Sequence, residues 1–194
     1  MKKLFFFDCE TTGLDPKIHD ILTLSYIIEI DGELKTSGTV KIRPENPSTI
    51  EPGALLVNGL SIDRISTYDP PDQAHTWLES VFSRFIEKYD PLDKFYPVAY
   101  RADFDYSFLA EFFKRRKDDF LNSWLSTKIL DPLPVLRMLD YFGVLALHDY
   151  KLVTVADYFG IPLEAHNSAS DVAALREIFH RLEQYFHIIK ERNL

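Results

Sequence analysis

The feature that most constrains this chain is a short apolar run near its start that leads directly into two carboxylates. The run is Leu4–Phe7, and Asp8 and Glu10 follow it. Side chains alternate between the two faces of a β-strand, so the two acids share one face. The opposite face carries the side chains of Phe5, Phe7 and Cys9. Apolar residues on both faces are typical of a central strand that is covered on both sides.

Two carboxylates at the end of a buried strand are unfavourable by themselves. Asp8 and Glu10 repel each other, and burial removes the water that stabilises their charges. A divalent metal ion between them would offset both costs, because hard cations prefer carboxylate oxygens as ligands. Asp-x-Glu alone is weak evidence for a metal site. Its position after a predicted central strand makes that interpretation stronger.

Two further acids continue the apolar faces of predicted helices. Asp105 lies one turn before Phe108 and Leu109, and Asp171 lies one turn before Leu175. One interpretation is an ordinary acid near a helix N-terminus, which the helix dipole favours. The other is a metal ligand, since a carboxylate on a buried face seldom lacks a partner. Together with the Asp8 and Glu10 pair, these acids could form a two-metal site.

His166 differs from the other histidines because it lies in a short polar loop, five positions before Asp171. A solvated loop histidine is one interpretation of this position. The functional interpretation is a general base with a near-neutral pKa.

The basic run Lys114–Lys117 also has two interpretations. It could contact a phosphate, or it could be a solvated helix end, which is the interpretation we favour.

Composition limits the class of protein. The chain has 194 residues, enough for one domain with a substantial core, and 46% of them are hydrophobic. One cysteine fits a reducing compartment, so we expect a cytoplasmic protein. No stretch approaches the length of a membrane span. The net charge of −8 argues against a protein that coats nucleic acid, although it allows an enzyme that grips a few phosphates through bound metals.

The order of predicted elements is typical of an α/β fold with a mixed central β-sheet flanked by α-helices. After the first strand, residues 21–30 predict a second one, and Asp31-Gly32 predicts a hairpin into a third near residues 39–42. A short strand is expected near residues 96–100. Helices are expected near residues 73–89, 104–117, 131–139, 152–159 and 168–186.

Three motifs resemble a known family. They are Asp8-x-Glu10-Thr11-Thr12-Gly13-Leu14, then Phe104-Asp105-x-x-x-Phe108-Leu109, then His166-x-x-x-x-Asp171. Their order and spacing resemble the DEDDh branch of the DEDD exonuclease superfamily, which includes proofreading subunits of bacterial DNA polymerase III, RNase T and oligoribonuclease-type enzymes. The resemblance runs from end to end, so it implies a single exonuclease domain over residues 1–194. It also implies a ribonuclease H-like fold and removal of nucleotides from 3′ ends.

The resemblance assigns roles to individual residues. The metal ligands would be Asp8, Glu10, Asp105 and Asp171, and they would hold two divalent ions, Mg²⁺ or Mn²⁺. His166 would be the general base. The implied substrate contacts are Thr11, Thr12, Leu14, Asn58 and Arg101. The match departs from the family at residues 100–102, where many relatives read His-Asn-Ala and this chain reads Tyr-Arg-Ala.

The expected partner is a nucleic acid, DNA or RNA, with a free 3′ end. No association with a membrane is expected. DNA is the expected substrate, and an RNA-trimming exoribonuclease is the alternative. A non-catalytic nucleic-acid-binding module with the same fold is a further alternative, against which the intact set of five catalytic residues argues. Whether a polymerase partner exists remains open at this point, with a stand-alone enzyme favoured.

Overall fold

The computed structural model describes residues 1–164 and 167–192 of the chain. In these residues, four strands form one sheet in the order β3-β2-β1-β4. The strands are β1 (Lys3–Thr11), β2 (Ile21–Ile30), β3 (Glu33–Lys41) and β4 (Tyr96–Val98). Strand β2 is antiparallel to both β1 and β3, whereas β4 is parallel to β1. The mixed sheet predicted from the sequence is therefore confirmed.

Helices pack on both faces of this sheet. The described residues contain α1 (Pro52–Val57), α2 (Ile62–Ser66), α3 (Pro71–Phe82), α4 (Ala102–Arg115), α5 (Leu121–Trp124), α6 (Pro132–Tyr141), α7 (Leu152–Tyr158) and α8 (Ser168–Arg192). A 3₁₀ turn at Pro47–Thr49 precedes α1. No helix among the described residues is both long enough and apolar enough to cross a membrane.

Strand β1 lies between β2 and β4 and buries its side chains in two different clusters. Phe5 and Phe7 pack with Phe82 of α3 and Leu109 of α4 in the larger one. On the other face, Phe6 belongs to a cluster with residues of α8, namely Val172 and Leu175. The alternating sequence of β1 therefore predicts correctly that both faces of this strand are covered.

The hairpin between β2 and β3 follows from its two turn residues. Asp31 and Gly32 both have positive φ angles, 50° and 84°, which a two-residue turn of this kind requires. The structure corrects the start of β3, which begins at Glu33 rather than near Thr39. Most of this strand is exposed at the edge of the sheet, so its residues carry too little apolar alternation to mark its full length.

Other boundaries also differ from the predicted ones. Strand β4 ends at Val98, α3 ends at Phe82, and α4 begins at Ala102. Helices α1, α2 and α5 were not predicted. They have six, five and four residues, which is too short for a helical period to be visible in the sequence.

The basic run at the end of α4 is structural, so the solvated interpretation of it is wrong for two residues. Arg115 donates hydrogen bonds to the Asp20 carboxylate at 2.5 Å and to the Pro16 carbonyl at 2.8 Å. The side chain of Arg116 is 5% exposed and pairs with Glu45 at 2.9 Å. These contacts tie the end of α4 to the segment before β2 and to the segment after β3.

Candidate active site

Strand β1 and the first turn of α8 bring three acids together. Asp8 and Glu10 lie two residues apart on β1, and Asp171 lies in the first turn of α8. One carboxylate oxygen from each of the three lies within 4.8 Å of the others. Three convergent carboxylates fit a divalent metal ion, because hard cations take oxygen ligands and cancel the mutual repulsion.

Asp105 reaches the same region from α4. Its side chain is 4% exposed, and its Oδ1 accepts a hydrogen bond of 2.9 Å from the backbone N–H of Cys9. Cys9 lies between Asp8 and Glu10 on β1, so this bond holds α4 against the acidic end of the strand. All four acids predicted as ligands therefore lie at the same end of β1.

Burial and repulsion raise the pKa values of these acids. Burial is the larger cause for Asp8, whose pKa lies well above its ordinary value, with Asp105, Glu10 and Asp171 adding repulsion. Burial followed by Asp171 raises the pKa of Glu10 to about 7. Burial also raises the pKa of Asp105 to about 7, against the opposing effect of the Cys9 hydrogen bond. Without a cation, the folded protein therefore favours protonation of this cluster.

His166 lies outside the described residues. Its neighbourhood is partly defined, because Asn167 begins the described segment that leads into α8. The Asn167 side chain donates a hydrogen bond of 3.1 Å to Glu164. The backbone carbonyl of Asn167 accepts a hydrogen bond of 2.9 Å from the N–H of Asp171. The role of His166 as the general base stays a prediction.

The loop after β1 is held by its own threonines. Thr11 Oγ1 donates to the Gly13 carbonyl at 2.7 Å, and Thr12 Oγ1 accepts from the N–H of Asp20 at 2.8 Å. The Thr12 side chain is fully buried, so it stabilises the loop from its interior side. Asn58, at the end of α1, donates to the Thr11 carbonyl at 3.0 Å. The predicted contact residues Thr11 and Asn58 are thus direct neighbours.

Gly13 is required by a close approach rather than by an unusual dihedral angle. A Cβ atom at this position would lie 2.4 Å from the ring of His19. His19 is buried under the loop, where its Nδ1 accepts from the N–H of Asp15 at 3.0 Å. The Gly13–His19 contact leaves no local pattern in the sequence.

The remaining predicted contact residues are both exposed. Leu14 is 77% exposed on the loop after β1, an unusual position for a large apolar side chain. Arg101 immediately precedes α4 and has a left-handed backbone with φ 59°, which is uncommon for a residue other than glycine. The N–H groups of Arg101 and Ala102 donate to the Asp131 carboxylate at 3.3 and 3.1 Å, which holds this turn in place.

Two surface grooves meet at Glu10. The Asn58 groove has a volume of about 500 Å³ and is lined by Glu10, Lys41, Asn58 and Arg64 among others. The Lys151 groove has a volume of about 350 Å³, and its lining includes Asp8, Glu10, Tyr100, Lys151 and Asp171. The acidic cluster therefore lies where a long substrate could extend in two directions.

A second acidic group in the described residues has a structural explanation. His75 Nε2 lies 3.0 Å from Asp118, and its Nδ1 lies 3.8 Å from Glu79, so the two ring nitrogens face different carboxylates. Lys88 neutralises Glu79 at 2.9 Å. These polar contacts of His75 tie α3 to the residues after α4.

Comparison with known proteins identifies the family. A family model for exonucleases of the RNase T type matches residues 5–179. The chain belongs to this family. The match confirms the DEDD exonuclease superfamily that the three motifs indicate, and it spans both the β1 acids and the start of α8. None of the curated proteins matches the sequence of this exonuclease-family chain directly.

Solved structures of exonuclease I share the fold of this family member. The zinc-bound form of E. coli exonuclease I with single-stranded DNA is 18% identical to this chain, with a TM-score of 0.78, and the match covers 97% of this chain and 43% of the exonuclease I chain. E. coli exonuclease I with a dT13 oligonucleotide is 18% identical, with a TM-score of 0.77, and the match covers 94% of this chain and 40% of the exonuclease I chain. This chain thus spans less than half the length of these relatives. The likeness confirms the ribonuclease H-like fold expected for the family member.

Proposed function

We propose that this protein is a metal-dependent 3′→5′ exonuclease that releases nucleoside monophosphates from nucleic acid, and that residues 1–194 form its single exonuclease domain. The observation that carries the proposal is the convergence of the Asp8, Glu10 and Asp171 carboxylates within 4.8 Å, where two open grooves meet. Membership of the exonuclease family supports the same chemistry. The finding that every predicted ligand lies at one end of β1 argues against a non-catalytic module.

The proposed ligands for two divalent cations, Mg²⁺ or Mn²⁺, are Asp8, Glu10, Asp105 and Asp171. When bound, such cations lower the pKa of water and stabilise the leaving oxygen of a phosphodiester. His166 accepts the proton of the attacking water, and a near-neutral pKa suits this role. Bound cations would also offset the charge of the four carboxylates, which would allow a protein of net charge −8 to bind a polyanion.

The 3′-terminal nucleotide is assigned to the loop after β1. The main chain at Thr11 faces the terminal 3′-hydroxyl, and exposed Leu14 packs against the terminal base. Asn58 stabilises this arrangement through its hydrogen bond to the Thr11 carbonyl. Thr12 stabilises the loop without facing the substrate, since its buried hydroxyl group accepts a hydrogen bond from the N–H of Asp20. The exposed side chain of Arg101 is assigned to a substrate phosphate.

DNA is the proposed substrate, and the protein is proposed to act in the cytoplasm. The solved relatives support DNA, because exonuclease I is known in complexes with single-stranded DNA. The single cysteine of the chain suits a reducing compartment. An exoribonuclease remains the alternative substrate class.

The test is digestion of end-labelled single- and double-stranded DNA and RNA with Mg²⁺, Mn²⁺ or excess EDTA. We expect mononucleotides released from the 3′ end, no reaction in EDTA, and inhibition by a 3′-phosphate. Asp8→Ala serves as the inactive control. Activity that survives EDTA would contradict the metal mechanism, and cleavage of a circular single strand would identify an endonuclease instead. Faster digestion of RNA than of DNA would select the alternative substrate.

A further inference from the structure

The two grooves that meet at Glu10 define a direction for the substrate. The proposed contacts of the terminal nucleotide, Thr11 and Asn58, lie on the side of the Asn58 groove. The scissile phosphate lies at the acidic cluster between the two grooves. The rest of the strand must then leave on the opposite side of the cluster, which is the Lys151 groove.

We infer that the nucleotide upstream of the scissile bond lies in the Lys151 groove, and that Lys151 binds its phosphate. This inference rests on the proposed exonuclease function. It assigns to Lys151 a substrate contact that none of the three sequence motifs includes.

The charge and exposure of Lys151 suit this role. Its side chain is 77% exposed, and its Nζ lies 3.9 Å from the carboxylate of Asp149. A surface ion pair at this distance contributes little, so a phosphate can readily replace the carboxylate as its partner. Among the described residues that line the Lys151 groove, Lys151 is the one cation, and three of the others are the acids Asp8, Glu10 and Asp171. Lys151 therefore supplies the positive charge in this groove that can pair with a phosphate of a strand passing the acids.

A hydrogen-bond network fixes the backbone beside Lys151. The Tyr100 hydroxyl donates to the Tyr150 carbonyl at 2.7 Å, and the Tyr150 hydroxyl donates to Asp140 at 2.6 Å. The N–H of Lys151 itself donates to Asp149 at 3.0 Å. The two tyrosine bonds join the segment before α7 to the turn after β4 and to α6. Tyr100 is therefore a positioning residue, which holds Lys151 at the wall of the groove.

The residues after Lys151 add an apolar surface to the same groove. Leu152 and Val153 both line it, and Val153 is 45% exposed at the start of α7. An exposed aliphatic surface beside a cation matches the alternation of sugar or base with phosphate along a nucleic-acid strand. The groove can thus hold a nucleotide without reading its base, because contacts to phosphate and sugar carry no sequence information directly.

The experiment compares a dinucleotide with a decamer of the same single-stranded DNA, measuring KM and kcat over a range of salt concentrations. We expect Lys151→Gln to raise KM for the decamer roughly fivefold. The slope of log KM against log salt should fall by about 0.7, the value for one lost phosphate contact on a single strand. Tyr100→Phe should also raise the KM for the decamer, by a smaller factor than Lys151→Gln does, and kcat should be retained. Lys35→Gln is the matched control, because Lys35 is a lysine on β3 whose ion pair is local, with Glu33.

The outcomes separate this inference from the proposed function. If the wild type degrades the decamer and Lys151→Gln keeps its KM and salt slope, the assignment of Lys151 is wrong while the exonuclease function stands. If Lys41→Gln lowers the slope of log KM against log salt instead, the upstream strand lies in the Asn58 groove. The substrate then crosses the acidic cluster in the opposite direction. If the wild type degrades neither substrate with Mg²⁺ or Mn²⁺, the proposed function itself fails.

Discussion

Neutralising Glu10 should stabilise the metal-free protein while it removes activity. Burial and the nearby Asp171 carboxylate raise the pKa of Glu10 to about 7 from an ordinary value of 4.5. The folded state therefore holds a proton that the unfolded chain releases as the pH rises through this interval. Since the folded state binds more protons there, the free energy of unfolding decreases as the pH rises toward 7 and then levels off.

The size of this effect follows from the shift. Each unit of pKa corresponds to about 1.4 kcal/mol, so the charged Glu10 costs the metal-free fold about 3 kcal/mol near pH 8. Near pH 4 the cost disappears, because the side chain is protonated in the folded state and largely so in the unfolded one. For a chain of this size, Glu10→Gln should raise the melting temperature by roughly 6 to 12 °C near pH 8 and by little near pH 4.

Thermal melts in excess EDTA across this pH range provide the assay. Glu87→Gln is the matched control, since Glu87 is exposed and its neutralisation should leave the melting temperature nearly constant. Millimolar Mg²⁺ or Mn²⁺ should stabilise the wild type more than Glu10→Gln, because the cation binds the folded ligand set. A Glu10→Gln protein that is less stable than the wild type near pH 8 in EDTA would refute the reasoning, and so would a difference that is independent of pH.

Three other predictions follow from the site and the fold. Asp8→Ala or Asp105→Ala should abolish turnover in the nuclease assay, since each removes a proposed ligand, and activity close to that of the wild type would exclude the assigned residue. His166→Ala should lower kcat by roughly two to four orders of magnitude with calorimetric metal affinity retained, and a collapse of that affinity would make His166 a ligand instead. Arg115→Ala should cost about 3 kcal/mol in urea unfolding, because it leaves the 7% exposed Asp20 without its charge partner, and a loss below about 1 kcal/mol would contradict that role.

The acids of the site could be predicted because each lies in a local pattern. Asp8 and Glu10 follow an apolar strand with a period of two, and Asp105 and Asp171 continue apolar helix faces with a helical period. These periods are properties of consecutive residues, so they are visible without a structure. The family resemblance added the order of the motifs, which the match over residues 5–179 confirms for the superfamily.

The residues that sequence reasoning missed act through contacts between distant segments. His19 is buried against Gly13, and Arg115 of α4 bonds to Asp20 across 95 positions of the chain. Lys151 is one exposed lysine among many in the sequence, and its place beside the acids depends on the packing of α7 near the end of β1. Such contacts have no period along the chain, because they arise when elements far apart in sequence pack together.

The sequence by itself determined the elements that carry the acids and the face on which each acid lies, since strand and helix periods depend on local backbone geometry. The tertiary structure alone decided that Asp8, Glu10 and Asp171 approach within 4.8 Å, and that Asp105 is held by the N–H of Cys9. It also decided where the two grooves run. Burial of apolar faces is nondirectional, so it drives α4 and α8 onto the sheet without specifying distances. Those distances depend on close packing and on hydrogen bonds formed once the elements have met.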